Sequence, residues 1–178
     1  MKTVFLCALV FATSGCSYIV PKYSPSENNR IALNKLPESG IKVSKFVSLN
    51  KFNDMCRAAG SIKSSEFDTL EYYINDALSQ ELKIAGLLDN NSPRIVLSGK
   101  FKKIEFSSTH KGFDGFWKYI LTINSSNGNS LVVEESYEFD TSFFGGTACR
   151  KTAEAFMPSV QVLINKIVNS NEFISLLN

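Results

Sequence analysis

The chain has one histidine, one tryptophan and four cysteines among its 178 residues, and its longest unbroken apolar run is the nine residues Val4 to Ala12. Each scarcity closes off a class of function. His110, the single histidine, has no second ligand at metal-binding spacing. Nor is there a G-x-S-x-G elbow to make it the base of a hydrolase triad. The 19 basic and 17 acidic residues nearly cancel, at a formal charge of +2. Binding to nucleic acid would need a concentrated basic surface, so none is expected as a partner. A run of nine apolar residues is too short for a membrane span, which takes about 20. No metal and no cofactor is indicated. Gly145-Gly146-Thr147 could cradle an anion at a helix start, but it lacks the P-loop lysine and spacing and reads better as a turn that positions Cys149.

What is present begins at the N-terminus. Lys2 precedes the apolar run, and Thr13-Ser14-Gly15 lead to Cys16. A basic start, a short apolar core and small residues before a cleavage point are the anatomy of a signal peptide. Residues 1–15 are therefore expected to be removed. The sequence Ser14-Gly15-Cys16 resembles the bacterial lipobox, with Thr13 standing where a leucine is usual. That resemblance implies that Cys16 carries diacylglycerol as the new N-terminus. The alternative is an ordinary secretory signal with an incidental cysteine. One acyl chain anchors only marginally, at about 0.8 kcal/mol per buried CH2, and the lipoprotein pathway adds two or three. Ser17 stands where enteric-type sorting places aspartate for inner-membrane retention. The resemblance thus implies an outer-membrane lipoprotein, anchored by lipid and facing the periplasm.

Such a compartment permits disulfides. Cys7 lies within the signal segment and Cys16 is assigned to lipid, so Cys56 and Cys149 remain and are expected to pair. Two free buried thiols are the alternative. Residues 16–40 contain Pro21, Pro25, Pro37, Asn28 and Asn29, with apolar residues scattered without period. This segment reads as a flexible tether, leaving residues 41–178 as a single domain.

Within that domain Ile41, Val43 and Val47 suggest a strand over 41–48 that Phe46 interrupts, and residues 53–64 read as an ordered loop. From Ser65, a candidate N-cap, the apolar positions Phe67, Leu70, Ile74, Ala77, Leu78, Leu82 and Ala85 recur at helical spacing. Ile95 to Ser107 reads as a long strand with a bulge near Lys102 and Lys103, where the apolar phase switches. Strands at 116–124 and 131–139 follow, joined at Asn127-Gly128. The last helical pattern starts at Gly145 and should kink or split at Pro158. Asn171 is the candidate cap of a final turn. The fold class is α+β, in the order β-α-β-β-β-α, with an antiparallel sheet covered by helices on one face.

Two clusters could carry more than folding. Glu134, Glu135, Glu138 and Asp140 could act as paired carboxylates, although most share the polar phase of one strand and face lysines across the sheet. Phe113, Phe116 and Trp117 flank a glycine-containing hairpin tip and are candidates for contact with a partner. The alternative is that these rings fold under the end of the sheet, and the phase of Trp117 matches the core set Tyr119, Leu121 and Ile123.

Lipobox, tether and element order together resemble the small outer-membrane lipoproteins that assist envelope machines. These include the lipoprotein subunit of lipopolysaccharide export and the auxiliary lipoproteins of lipid-transporting ABC systems. The segment from Cys149 through Met157-Pro158-Ser159-Val160 is similar to that of uncharacterised bacterial lipoproteins. The resemblance implies a non-enzymatic accessory protein that is held to the membrane by its lipid and partners an envelope protein. A lipid-tethered periplasmic enzyme and a small-ligand-binding module are the alternatives.

Overall fold

A computed structural model describes residues 17–36 and 40–178. Cys16 and the signal segment lie outside the described residues, as do residues 37–39. The fold is α+β, built on a four-stranded sheet and a small three-stranded one. In the large sheet the strand order is β2 (Ile41–Ser48), β5 (Ile95–His110), β6 (Asp114–Ser125) and β7 (Ser130–Asp140). The last three are antiparallel neighbours, as their short connections require. β2 instead joins β5 in parallel. Helix α2 (Leu70–Ile84) provides the crossover that a parallel pair needs.

Local irregularities account for the phase breaks in the sequence. The β2–β5 register shifts between Val43 and Phe46, which turns Phe46 inward and buries it. Its ring lies over Gly99, where an added Cβ would come within 2.6 Å of it. The expected bulge is found at Lys102, between the pairs Phe101–Leu121 and Lys103–Ile120. Trp117, Tyr119, Leu121 and Ile123 all point into the core beneath the helices. The hairpin turn uses Gly128 at φ +93°.

α2 starts at Leu70 with Thr69 as its N-cap, whose hydroxyl accepts from Tyr72 N. Ser65 is not the cap. The Ser64 hydroxyl instead accepts from the Glu66 and Phe67 amides, closing a separate turn before the helix. α3 (Gly145–Val168) runs unbroken through Pro158. Proline in a helix interior costs about 3 kcal/mol. Here Phe156, Val160, Leu163 and Ile164, on both sides of it, are wholly buried, and that packing outweighs the local loss. Ser170, one residue earlier than expected, caps α4 (Asn171–Leu177).

The largest departure concerns residues 16–40. They do not form a tether over the described span 17–36. β1 (Ser17–Ile19) pairs in parallel with β4 (Gly60–Lys63), and α1 (Glu27–Leu33) packs Ala32 and Leu33 into the core. The two prolines there, Pro21 and Pro25, lie in the extended connection between β1 and α1, where a missing N–H costs no ladder bond. A buried carboxylate fixes the segment. Glu81 Oε1 on α2 accepts from Tyr23 Oη at 2.5 Å, Ser26 N at 2.8 Å and Asn29 Nδ2 at 2.9 Å. Residues 53–64 are likewise more regular than a loop. β3 (Met55–Cys56) and β4 form a tight hairpin, which makes the small sheet β1-β4-β3.

Candidate functional site

The turn of the β3–β4 hairpin organises one end of the molecule. Cys56 O accepts from Ala59 N at 2.8 Å, and the central residues Arg57 and Ala58 both have positive φ, +45° and +52°. Non-glycine residues held in the left-handed region cost about 1–3 kcal/mol each. Two restraints hold this turn. Cys56 is bonded to Cys149 in the first turns of α3, with an S–S distance of 2.05 Å and Cα atoms 5.8 Å apart, so the expected disulfide is present. The Arg57 guanidinium bridges three chain segments. It donates to the Ser108 hydroxyl (2.8 Å) and carbonyl, and to the carbonyls of Ser142 and Phe143, each at 3.1 Å.

Exposed aromatic rings gather around this clamp. Phe143 and Phe144, just before α3, are 78% and 74% exposed, and their rings meet edge to face with centroids 6.0 Å apart. Phe113, at the β5–β6 tip, is 64% exposed, and its carbonyl accepts from Thr141 Oγ1 at 2.7 Å and from the Thr141 amide. The three proposed contact residues therefore separate. Phe113 is exposed as expected. Phe116 is half-buried, its ring edge against His110 at 5.2 Å. Trp117 is wholly buried, with Nε1 donating to Thr152 O at 2.9 Å and its ring on Phe156 at 4.8 Å. Trp117 thus cannot be a contact residue: its place in the alternation puts it under α3. Phe143 and Phe144 were not singled out from the sequence. The available signal was two adjacent aromatics in a linker, which cannot both face one core.

A second feature is an open groove of about 850 Å³. It lies between the end of β2 with residues 49–52, the end of β4, and the start of α2. Phe52 and Phe67 form its half-buried walls, Phe52 stacked on Trp117 at 6.1 Å and Phe67 edge-on to Tyr73 at the same distance. Val47, Leu49 and Tyr72 line it with exposed surface. β2 is the edge strand of its sheet. Its outer side is covered at Ile41 by residues 87–89 and at Ser44 by Asn75 of α2, and the groove lies beside its last residues.

The carboxylates of β7 do not converge on this groove or on the aromatic end. Glu134 pairs with Lys118 at 2.6 Å, Glu135 with Lys166 at 3.1 Å and Glu138 with Lys111 at 3.6 Å. The lysine beside it holds Glu134 below the usual carboxylate range. Glu134 and Glu138 thus lie on the solvated sheet face with ordinary charge pairing, whereas Glu135, on the opposite face, pairs with a lysine of α3. Among the described residues, no group of three histidine, cysteine, aspartate or glutamate side chains is placed to hold a metal ion, and no helix is long and apolar enough to cross a membrane.

No family model and no curated protein matches the sequence. Among solved structures, the chain is similar to protein XCC0632 of Xanthomonas campestris, which is assigned to the family DUF330. The match has a TM-score of 0.61 at 9% identity and covers 90% of this chain and 96% of that one. Weaker similarity extends to the hypothetical protein CT253 of Chlamydia trachomatis, with a TM-score of 0.44 at 9% identity over 78% of this chain and 98% of that one. A lipoprotein candidate of Caulobacter crescentus CB15 matches with a TM-score of 0.41 at 8% identity, over 84% of this chain and 95% of that one. At these identities the likeness is one of fold, and this chain shares the fold of the Xanthomonas protein over nearly its whole length.

Proposed function

We propose that this chain is a bacterial envelope lipoprotein, attached through Cys16 to the outer membrane on its periplasmic side, that serves a larger envelope assembly as a non-enzymatic accessory subunit. The observation that carries this reading is the use of its cysteines. The lipobox-like sequence takes Cys16, and Cys56 and Cys149 are bonded to each other, as suits an oxidising compartment. The groove beside β2 supplies the binding face. Its aromatic walls suit an apolar segment of a partner protein, which would place side chains against Phe52 and Phe67 beside the end of β2.

A photoreactive residue at Leu49, within the groove, tests the reading in intact cells. The expected result is a crosslink to one discrete envelope protein, lost when the lipid site is removed by Cys16→Ser and the chain leaves the membrane. Crosslinking at Leu49 that is absent in the envelope, or unchanged by Cys16→Ser, would overturn it.

A further inference from the structure

We infer that the end of the domain bearing Phe113, Phe143 and Phe144 is seated in the lipid bilayer. The protein then lies against its membrane in one orientation and does not swing from a tether. The inference rests on the proposed lipid attachment at Cys16 and specifies what that attachment does to the folded body.

The start of the chain fixes the geometry. Ser17 is in register with Ser61, the residue that follows Gly60 at the β3–β4 turn. Tyr18 lies beside the start of α3, its hydroxyl 3.6 Å from where a Cβ on Gly146 would be. Cys16 is one peptide bond from Ser17, a Cα step of about 3.8 Å, so acyl chains on Cys16 enter the bilayer beside this turn and the helix start. The residues that could have served as a spacer, 17–36, are taken up by β1, α1 and the Glu81 hydrogen bonds. The same end carries the three most exposed phenylalanines among the described residues. Arg57 ties the carbonyls of Ser142 and Phe143 to Ser108, and Thr141 ties in Phe113. The rings therefore stand on braced backbone.

Solvent exposure of three large rings on a rigid end is unfavourable in water, and aromatic side chains favour the bilayer interface. The charges here are mixed. Lys111 and Arg150 are paired with Glu138 and Glu154, and Asp114 lies opposite Asp140. Attraction to anionic lipid is thus not the driving term, and insertion should depend little on it.

The test uses the mature acylated protein in vesicles of phosphatidylethanolamine and phosphatidylglycerol containing brominated acyl chains, which quench tryptophan in the bilayer. Phe144→Trp and Phe113→Trp each add a probe over the buried Trp117, and Tyr72→Trp places one at the groove as a control. The expected result is quenching and a blue shift for the first two probes, none for the third, and the same pattern when phosphatidylglycerol is left out. Unquenched probes at 113 and 144 on protein that floats with the vesicles would overturn the seating while leaving the anchor intact. Failure of the protein to float with vesicles would overturn the anchor and the seating together. Photocrosslinks from position 144 that reach only protein in the native envelope would also overturn the seating.

Discussion

Asn29 and Glu81, 52 residues apart and both wholly buried, meet through a hydrogen bond of 2.9 Å from Asn29 Nδ2 to Glu81 Oε1. With Tyr23 and Ser26 donating to the same oxygen, this contact makes the segment after Cys16 part of the folded body. Replacing Glu81 with alanine leaves those donors without their acceptor. Each buried group so stranded costs about 1–3 kcal/mol, so with three donors losing this acceptor Glu81→Ala should destabilise by roughly 3 kcal/mol or more. Urea melts should show a lower midpoint, and limited proteolysis should cut first within residues 20–36.

Reduction of the Cys56–Cys149 bond should act elsewhere, on the β3–β4 hairpin and the start of α3. It closes a loop with a sequence separation of 93, for which chain entropy gives about 4–5 kcal/mol, often less in practice. The double variant Cys56→Ser, Cys149→Ser should melt well below the native protein. Both native thiols should alkylate only after reduction.

The aromatic residues of the β5–β6 hairpin should divide cleanly in a melting experiment. Trp117→Ala removes a wholly buried ring together with its hydrogen bond to Thr152, at a cost of about 3–5 kcal/mol. Phe113→Ala removes an exposed ring and should change stability by no more than about 0.5 kcal/mol.

Three phenols, the buried Tyr73 and Tyr119 and the half-buried Tyr23, set the alkaline limit. Burial pushes the pKa of Tyr23 above its usual 10.0, and the neighbouring Glu81 carboxylate pushes it further. Tyr73 and Tyr119 are raised chiefly by burial as well. A folded-state pKa above the unfolded one means that the native state holds its protons longer. The stabilisation is therefore full below pH 10 and is lost as pH rises beyond it. The melting temperature should fall steeply above pH 10, and Tyr23→Phe should make that fall shallower.

The elements legible in the sequence were those with a regular period or a recognised irregularity. The alternation Trp117, Tyr119, Leu121, Ile123 marked the buried face of β6, and the phase switch at Lys102 marked its neighbour's bulge. Two kinds of information were hidden. The β3–β4 hairpin turns on Arg57 and Ala58, where hairpins of this type usually carry asparagine and glycine. Its geometry comes from the disulfide and the guanidinium clamp, which are long-range. Residues 17–36 lack periodicity because polar contacts hold them, Asn29 and Tyr23 on Glu81, and a buried asparagine resembles a loop asparagine until its partner is known. The parallel placement of β2 depends on where α2 returns the chain, and no local pattern encodes that. For the candidate sites, Phe113 was visible as an aromatic at a hairpin tip. Phe143 and Phe144 gained meaning only once Arg57 brought their segment beside the β3–β4 turn, next to which Ser17 lies.

Intact-mass and N-terminal peptide analysis of the protein isolated from its native envelope tests the central claim most directly. A lipid-anchored lipoprotein should begin at Cys16, lack residues 1–15, and carry diacylglycerol on the sulfur of Cys16, with Cys56 and Cys149 oxidised. A mature chain that begins at any other residue, or that begins at Cys16 with a free thiol, would contradict it.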